Sequence, residues 1–220
     1  MTGAAFAQGT INWSLISPAA MTAQTNSTAY SPLFPGFGTP VGGAVGNTGP
    51  AYAGFYYELL NLATGSQAAK PTTVASLLTW SDTGLGATNA GNAGFLTPIA
   101  GSTAATVSWA NGVTNSIMLV GWSANLGTSW LAVSNDLKNW AAVGTTIAGN
   151  AFFGMSTTGF ITPATGNPGV NAFATSAQLY GLPISSLLTQ LNVLPVPEPA
   201  TMALVGLGGL ALVLFRRQRK

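Results

Sequence analysis

Apolar and polar residues alternate along several short segments of the chain, and such alternation predicts β-strands with one buried face. Residues 52–62, YAGFYYELLNL, form the strongest strand candidate because aromatic residues suit a pleated surface. Breaks that contain Gly-Asn or Pro separate the candidates from one another. The other candidates are residues 9–16, 74–80, 104–109, 116–122 and 151–161.

One stretch, residues 127–143 (GTSWLAVSNDLKNWAAV), has a helical period instead. Thr128 or Ser129 suits the N-cap, since either hydroxyl can accept a hydrogen bond from a free backbone N–H group of the first turn. The large apolar residues that recur at helical spacing are Trp130, Val133, Leu137 and Trp140. We predict one amphipathic helix whose tryptophans pack into the core; an exposed sugar-stacking platform is the alternative.

Strands at this spacing predict a mainly β fold, an antiparallel β-sandwich-like single domain with the amphipathic helix packed on it. Residues 31–50 are rich in Gly and Pro and are predicted to form a long surface loop. Residues 184–194, ISSLLTQLNVL, fit either a last helical turn or a strand. The strand candidates and the helix together place the body of the protein at residues 8–195.

The charges of the chain are few and unevenly placed. The formal net charge is +2 and the pI about 9.2, yet most of the basic residues lie in the last five positions: Arg216, Arg217, Arg219 and Lys220. Residues 1–195 carry three acids and two lysines, a net charge of −1: Glu58, Asp82, Asp136, Lys70 and Lys138. Because the body has no basic face to neutralise phosphates, we predict no nucleic-acid partner.

The sequence contains few residues of the types that carry out catalysis. The chain has no histidine and no cysteine, which removes the commonest general base, the commonest metal ligand and the thiolate nucleophile. We therefore predict a non-enzymatic protein without metal or cofactor. The remaining alternative is a glycoside hydrolase that uses two carboxyl groups, Asp82 with either Asp136 or Glu58.

Carbohydrate binding without catalysis is a further alternative. Four tryptophans lie in or near predicted strands, where half of the positions face outward: Trp13, Trp80, Trp109 and Trp122. Exposed tryptophan rings stack well on sugar faces, but large aromatic side chains more often fill cores. The sequence supports both interpretations and favours core packing.

The last 25 residues differ in composition from the body. Ala200 to Phe215 is a run of 16 residues without charge, about 24 Å long as a helix. We predict a transmembrane helix whose basic end stays on the cytoplasmic side. Ahead of it, Pro195, Pro197 and Pro199 keep the backbone extended, which suits entry into the cleft of a processing enzyme.

The order of these parts, namely Pro197-Glu198-Pro199, an apolar span and an Arg-rich end, resembles the PEP-CTERM sorting signal of exported bacterial proteins. The resemblance covers residues 196–220 and implies export by the general secretory route. It also implies a partner, an exosortase, which is a membrane transpeptidase with a cysteine nucleophile that recognises the Pro-Glu-Pro motif and removes the tail. Families of this kind occur in bacteria that make exopolysaccharide and a biofilm or floc matrix.

The first seven residues end in Ala5-Phe6-Ala7, a small-x-small pattern typical of a signal-peptide cleavage site. The charged and apolar regions that should precede it are missing, so we interpret residues 1–7 as the remnant of a signal peptide; coincidence in an Ala-rich chain is the alternative. We expect an exported protein that is anchored transiently in the inner membrane and then lies at the cell surface or outside the cell, associated with polysaccharide.

Overall fold

The computed structural model describes residues 8–15, 21–34, 46–48, 54–101, 103–166 and 168–197. Over these ranges the protein is mainly β, which confirms the predicted class. The strands are β1 (Gln8–Asn12), β2 (Thr22–Ala29), β3 (Gly46–Asn47), β4 (Phe55–Leu62), β5 (Ser81–Asn89), β6 (Leu96–Pro98), β7 (Ala105–Ala110), β8 (Asn115–Ser123), β9 (Phe152–Ile161), β10 (Val170–Asn171), β11 (Gly181–Leu182) and β12 (Leu188–Val193). The helices are α1 (Val74–Leu77), α2 (Trp130–Lys138) and α3 (Trp140–Val143), with a 3-10 turn at Ala124–Leu126.

Within the described residues the strands form two sheets. The large, curled sheet has the order β3-β2-β12-β9-β8-β4-β5-β6, and β11 pairs with β9 beside this path. The small sheet has the order β10-β1-β7. Strand β8 lies in the middle of the large sheet, and all of its residues are buried.

The two faces of the large sheet bury different sets of apolar side chains, because successive residues of a strand point to opposite faces. Leu59, Ile117 and Leu119 belong to a cluster that also contains Trp13 and Trp109 of the small-sheet side, and we call it the intersheet core. The other face carries the helix core, which joins the strands to the helices. Its members include Leu60, Met118, Val120, Trp122, Leu77, Trp130, Val133, Leu137 and Trp140. The large sheet is therefore covered on one face by the small sheet and on the other by helices.

Helix α2 confirms the predicted amphipathic helix. Ser129, not Thr128, is the N-cap, and its hydroxyl accepts a hydrogen bond from the backbone N–H of Ala132. Trp130 and Trp140 are buried as expected. The prediction of a single helix was wrong, since α3 follows at once after Asn139 and α1 also packs into the helix core.

The predicted strand at residues 74–80 was wrong: its first half is helix α1. Thr73 and Ser76 form a capping box, in which each side chain accepts a hydrogen bond from the backbone N–H of the other. Capping of this kind stabilises a first helical turn and here outweighs the strand preference of Val74. Leu77 and Trp80 still reach the helix core, so the apolar pattern reflected burial without a sheet.

The expectation of a purely antiparallel sheet was also wrong. Strand β12 pairs in parallel with β2 and antiparallel with β9, and β1 pairs in parallel with β10. Parallel neighbours arise here because strands distant in sequence lie side by side, whereas tight hairpins give only antiparallel pairs. Residues 184–194, left open between helix and strand, thus contain the strand β12.

The segment predicted as a surface loop, residues 31–50, is more integrated than expected at its two described ends. Leu33 is buried in the helix core, and Gly46–Asn47 pair with β2 as strand β3. Residues 35–45 and 49–50 lie outside the described part of the chain.

The predicted signal-peptide remnant, residues 1–7, and the predicted membrane helix, residues 200–215, also lie outside the described ranges. Among the residues that the structure describes, no helix combines the length and apolar character needed to cross a membrane.

Strands β9 and β12 approach closely at Gly154. A Cβ atom at this position would overlap the carbonyl oxygen of Gln190 and press against Leu191. The missing side chain at Gly154 is therefore what allows the last strand to pack beside β9.

We expect Gly154→Ala to lower the free energy of unfolding by about 2 kcal/mol, because the new methyl group must push β9 and β12 apart. Urea unfolding of the full-length chain, followed by tryptophan fluorescence, measures the change. Gly91→Ala is the matched control, since a Cβ there meets no atom within 4 Å, and its effect should stay within about 0.5 kcal/mol. Equal stability of the two variants would contradict the close approach.

Candidate functional site

The point at which the body gives way to the C-terminal tail is held by specific contacts. After β12, the backbone N–H of Leu194 donates to the carbonyl of Ala151 at 2.7 Å, and Leu194 is buried in the helix core. The indole Nε1 of Trp140 then donates to the carbonyl of Pro195 at 2.7 Å. Helix α3 therefore fixes the last buried residue of the body.

Beyond Pro195 the chain emerges over an apolar groove. Pro195 is buried, the side chain of Val196 is 61% exposed, and Pro197 is half-buried. The groove has a volume of about 380 Å³, and its apolar wall residues are Phe34, Val74, Leu137, Trp140, Ala141, Pro195 and Pro197. We call Trp140, Pro195, Val196 and Pro197 the tail junction, because the first residue of the Pro-Glu-Pro motif already lies in it.

Of the Pro-Glu-Pro motif and the residues that follow it, Pro197 lies in the described structure. The others lie beyond it: Glu198, Pro199, the predicted span from Ala200 to Phe215, and Arg216, Arg217, Arg219 and Lys220. The structure therefore describes only the start of the sorting signal.

The tryptophans considered for sugar stacking are all buried. Trp13 and Trp109 lie in the intersheet core, and Trp80 and Trp122 lie in the helix core. Trp13 packs on the ring of Phe173 with centroids 5.4 Å apart, and Trp122 donates its indole N–H to the carbonyl of Gly127. These four rings are core residues and offer no open stacking face.

The structure brings two of the three candidate carboxyl groups together. Glu58 on β4 and Asp82 on β5 form a hydrogen bond, and the Asp82 carboxylate also accepts the backbone N–H of Gly84 at 2.7 Å. Gly84 has a φ of +73°, which glycine adopts readily, and the β4 to β5 register shifts at this point. That bulge returns Asp82 to the neighbourhood of Glu58.

Burial raises the pKa of Glu58 to about 9, and both the hydrogen bond and the negative charge of Asp82 act in the same direction. Glu58 is therefore protonated at neutral pH and donates to the Asp82 carboxylate. The pair acts here as a proton-sharing contact between two strands.

Asp136, the other acid considered for hydrolysis, lies on helix α2, while Asp82 bonds to Glu58. None of the three described cavities is lined by Glu58, Asp82 or Asp136. In the part of the chain that the structure describes, no three His, Cys, Asp or Glu residues are grouped as metal ligands.

Two side chains of functional interest were not predicted from the sequence. Trp140 was expected to be a core residue, and only the fold reveals its hydrogen bond to Pro195. Lys70 was counted only as a body charge, yet its ammonium group lies in a polar cavity and donates to the carbonyl of Met155 at 2.8 Å. Neither contact has a local signal, because each joins residues more than 50 positions apart.

Comparison with known proteins gives a family match at the C-terminal end of the chain. Residues 195–220 match the family model described as the PEP-CTERM protein-sorting motif. No curated protein and no solved structure matches the chain. The motif supports an exported protein that is held by a C-terminal membrane anchor until an exosortase processes it. The predicted resemblance is thus confirmed for this segment.

We expect Trp140→Phe to loosen the tail junction, because it removes the N–H donor that holds the Pro195 carbonyl. Loss of this buried bond should cost about 1–2 kcal/mol locally. Hydrogen exchange of the full-length chain, measured on peptides that cover residues 190–198, should become faster. Trp130→Phe trims the same helix core without touching Pro195 and serves as the control. Equal protection in both variants would rule out the proposed role of the bond.

The raised pKa of Glu58 gives a pH dependence of stability with a definite sign. The folded chain holds this proton up to about pH 9, whereas the unfolded chain releases it near 4.5. The stabilisation is therefore complete below about 4.5 and is lost as the pH rises through 9. Glu58→Gln should flatten the fall in unfolding free energy between pH 5 and 9, by about 1 kcal/mol after solvent screening.

The same pH series on Lys138→Gln provides the control, since Lys138 is exposed and shares no hydrogen bond with Glu58 among the described contacts. The wild-type slope should persist in this variant. A Glu58→Gln chain with an unchanged slope would refute the shared proton.

Proposed function

We propose that this chain is an exported, non-enzymatic protein of the cell surface or extracellular matrix, associated with exopolysaccharide. The observation that carries the proposal is the match of residues 195–220 to the PEP-CTERM sorting motif. In this proposal the tail is a sorting signal, and the β domain is the part of the protein that remains after the tail has been removed.

The geometry of the tail junction supports this division of roles. The body is fixed up to Pro195 by the bond from Trp140, and Val196 is exposed directly after it. A processing enzyme can then reach an extended segment without unfolding β12. The folded domain would stay intact while the tail is exchanged for a new attachment or is lost.

The chemistry of the body supports a role without catalysis. The chain has neither histidine nor cysteine, and its paired carboxyl groups are hydrogen-bonded to each other. A protein that acts by binding or by assembly needs neither group. Hydrolysis through Asp82 and Asp136 has no support from the contacts described above.

The second candidate is a carbohydrate-binding module on the same β scaffold. The buried tryptophans do not favour it, but a cavity of about 370 Å³, lined by Lys70 and by polar residues of β9 and β12, does. In that case retention in the matrix would follow from direct binding of sugar residues.

We expect Glu198→Ala to block processing, because the substitution removes the charged residue of the recognition motif. Intact mass spectrometry of the protein from native cells tests this. The wild-type chain should appear in the extracellular fraction with a mass that ends near the Pro-Glu-Pro segment. The variant should stay in the membrane fraction with its mass complete to Lys220.

Gln218→Ala is the matched control, since Gln218 lies in the tail but outside both the motif and the basic residues. It should be processed like the wild type. A wild-type chain that keeps its mass through Lys220 in the membrane would show a permanent anchor and overturn the sorting proposal.

A further inference from the structure

A cavity opens on the helix-side face of the large sheet, beside the helix core to which Phe153 and Met155 of β9 belong. Its volume is about 370 Å³, within the range of small-ligand sites. Met155 and Thr157 of β9 and Gln190 and Asn192 of β12 form its floor, because alternate residues of a strand share a face. Segments at Tyr30 and Lys70 form the walls.

The cavity carries a positive charge without a neighbouring acid. Lys70 donates one ammonium hydrogen to the carbonyl of Met155 at 2.8 Å, which directs the group toward the cavity and leaves its other N–H donors available. The acids of the described chain, Glu58, Asp82 and Asp136, are absent from the lining. Desolvation lowers the pKa of Lys70, as expected for an ammonium group that an anion would stabilise.

Hydrogen-bonding side chains line the cavity around Lys70. Gln190 of β12 and Thr157 of β9 lie on the same face of the sheet, and Thr157 is exposed. An amide and a hydroxyl can each donate and accept, so both suit the hydroxyl groups of a ligand. Tyr30 also lines the cavity.

We propose that this cavity binds a carboxylated sugar, of the uronic-acid class. The carboxylate pairs with the Lys70 ammonium, and the sugar hydroxyls bond to Gln190 and Thr157. The half-buried ring of Tyr30 offers a surface for an apolar sugar face. The site deepens the proposed matrix role and rests on it for the source of the sugar, which would be an acidic exopolysaccharide.

The combination of groups distinguishes this ligand from simpler ones. A neutral sugar would leave the Lys70 charge unpaired, whereas acetate or inorganic phosphate would leave Gln190, Thr157 and most of the cavity without a ligand group. A ligand with both a carboxylate and several hydroxyls pairs with Lys70 and with the uncharged polar side chains at once.

The test is isothermal titration calorimetry of the full-length chain in a neutral detergent, with D-glucuronate, D-glucose, acetate and phosphate as separate probes. Glucuronate should bind saturably and tighter than each of the other three. Lys70→Gln should weaken glucuronate binding at least about tenfold, because it removes a charge-assisted contact. Lys138→Gln removes the other lysine of the body and should leave binding unchanged.

Several results would overturn the inference. Equal binding of glucose and glucuronate, phosphate binding as tight as glucuronate, or no binding of glucuronate would each refute the assigned ligand class. An equal loss in Lys70→Gln and Lys138→Gln would place the anion elsewhere. Thermal unfolding of both variants checks that each is folded. The titration does not depend on tail processing, so it can fail while the sorting experiment succeeds, and the reverse.

Discussion

The structure depends on the insertion of one late strand, β12, between β2 from the start of the chain and β9. Leu191 of this strand fills the intersheet core and Leu194 just beyond it fills the helix core, so the two faces of the sheet are closed by the same segment. The insertion requires the bare backbone at Gly154. Pairing between such distant segments closes a very long loop, and the large sheet is therefore complete only when residues near the end of the body are in place.

This constraint also separates the body from its tail. Because β12 and the bond from Trp140 to Pro195 end the buried part of the described chain at a defined residue, the sorting motif begins two residues later, after the exposed Val196. The signal can be read or removed without loss of core contacts. Two of the few charged side chains of the body are also held by contacts within the fold. Protonated Glu58 donates to Asp82, and Lys70 donates to the backbone carbonyl of Met155 beside a cavity.

Segments whose local pattern agrees with their surroundings were predicted well. Strand β7 alternates between buried and exposed positions, β8 and β9 contain short apolar runs, and α2 has both a helical period and a capping serine. Strand β2, TAQTNSTA, was missed because it is almost entirely polar, and β5, SDTGLGATN, because its glycines obscure the alternation of Leu85 and Ala87. Residues 74–80 were wrongly predicted as a strand because Val74 and Trp80 suit a strand. The capping box of Thr73 and Ser76 instead begins helix α1.

The sequence by itself was enough to recognise the sorting signal and to predict a mainly β fold. The motif at Pro197, Glu198 and Pro199 and the apolar and basic residues after it are contiguous, and the alternation of apolar residues is local, so both can be recognised without a fold. The tertiary structure alone decided the parallel pairing of β2 with β12, the contact of Glu58 with Asp82, and the hydrogen bonds from Trp140 to Pro195 and from Lys70 to Met155. Each of these joins residues far apart in the chain, and their proximity depends on sheet order and register, which neither composition nor local period encodes.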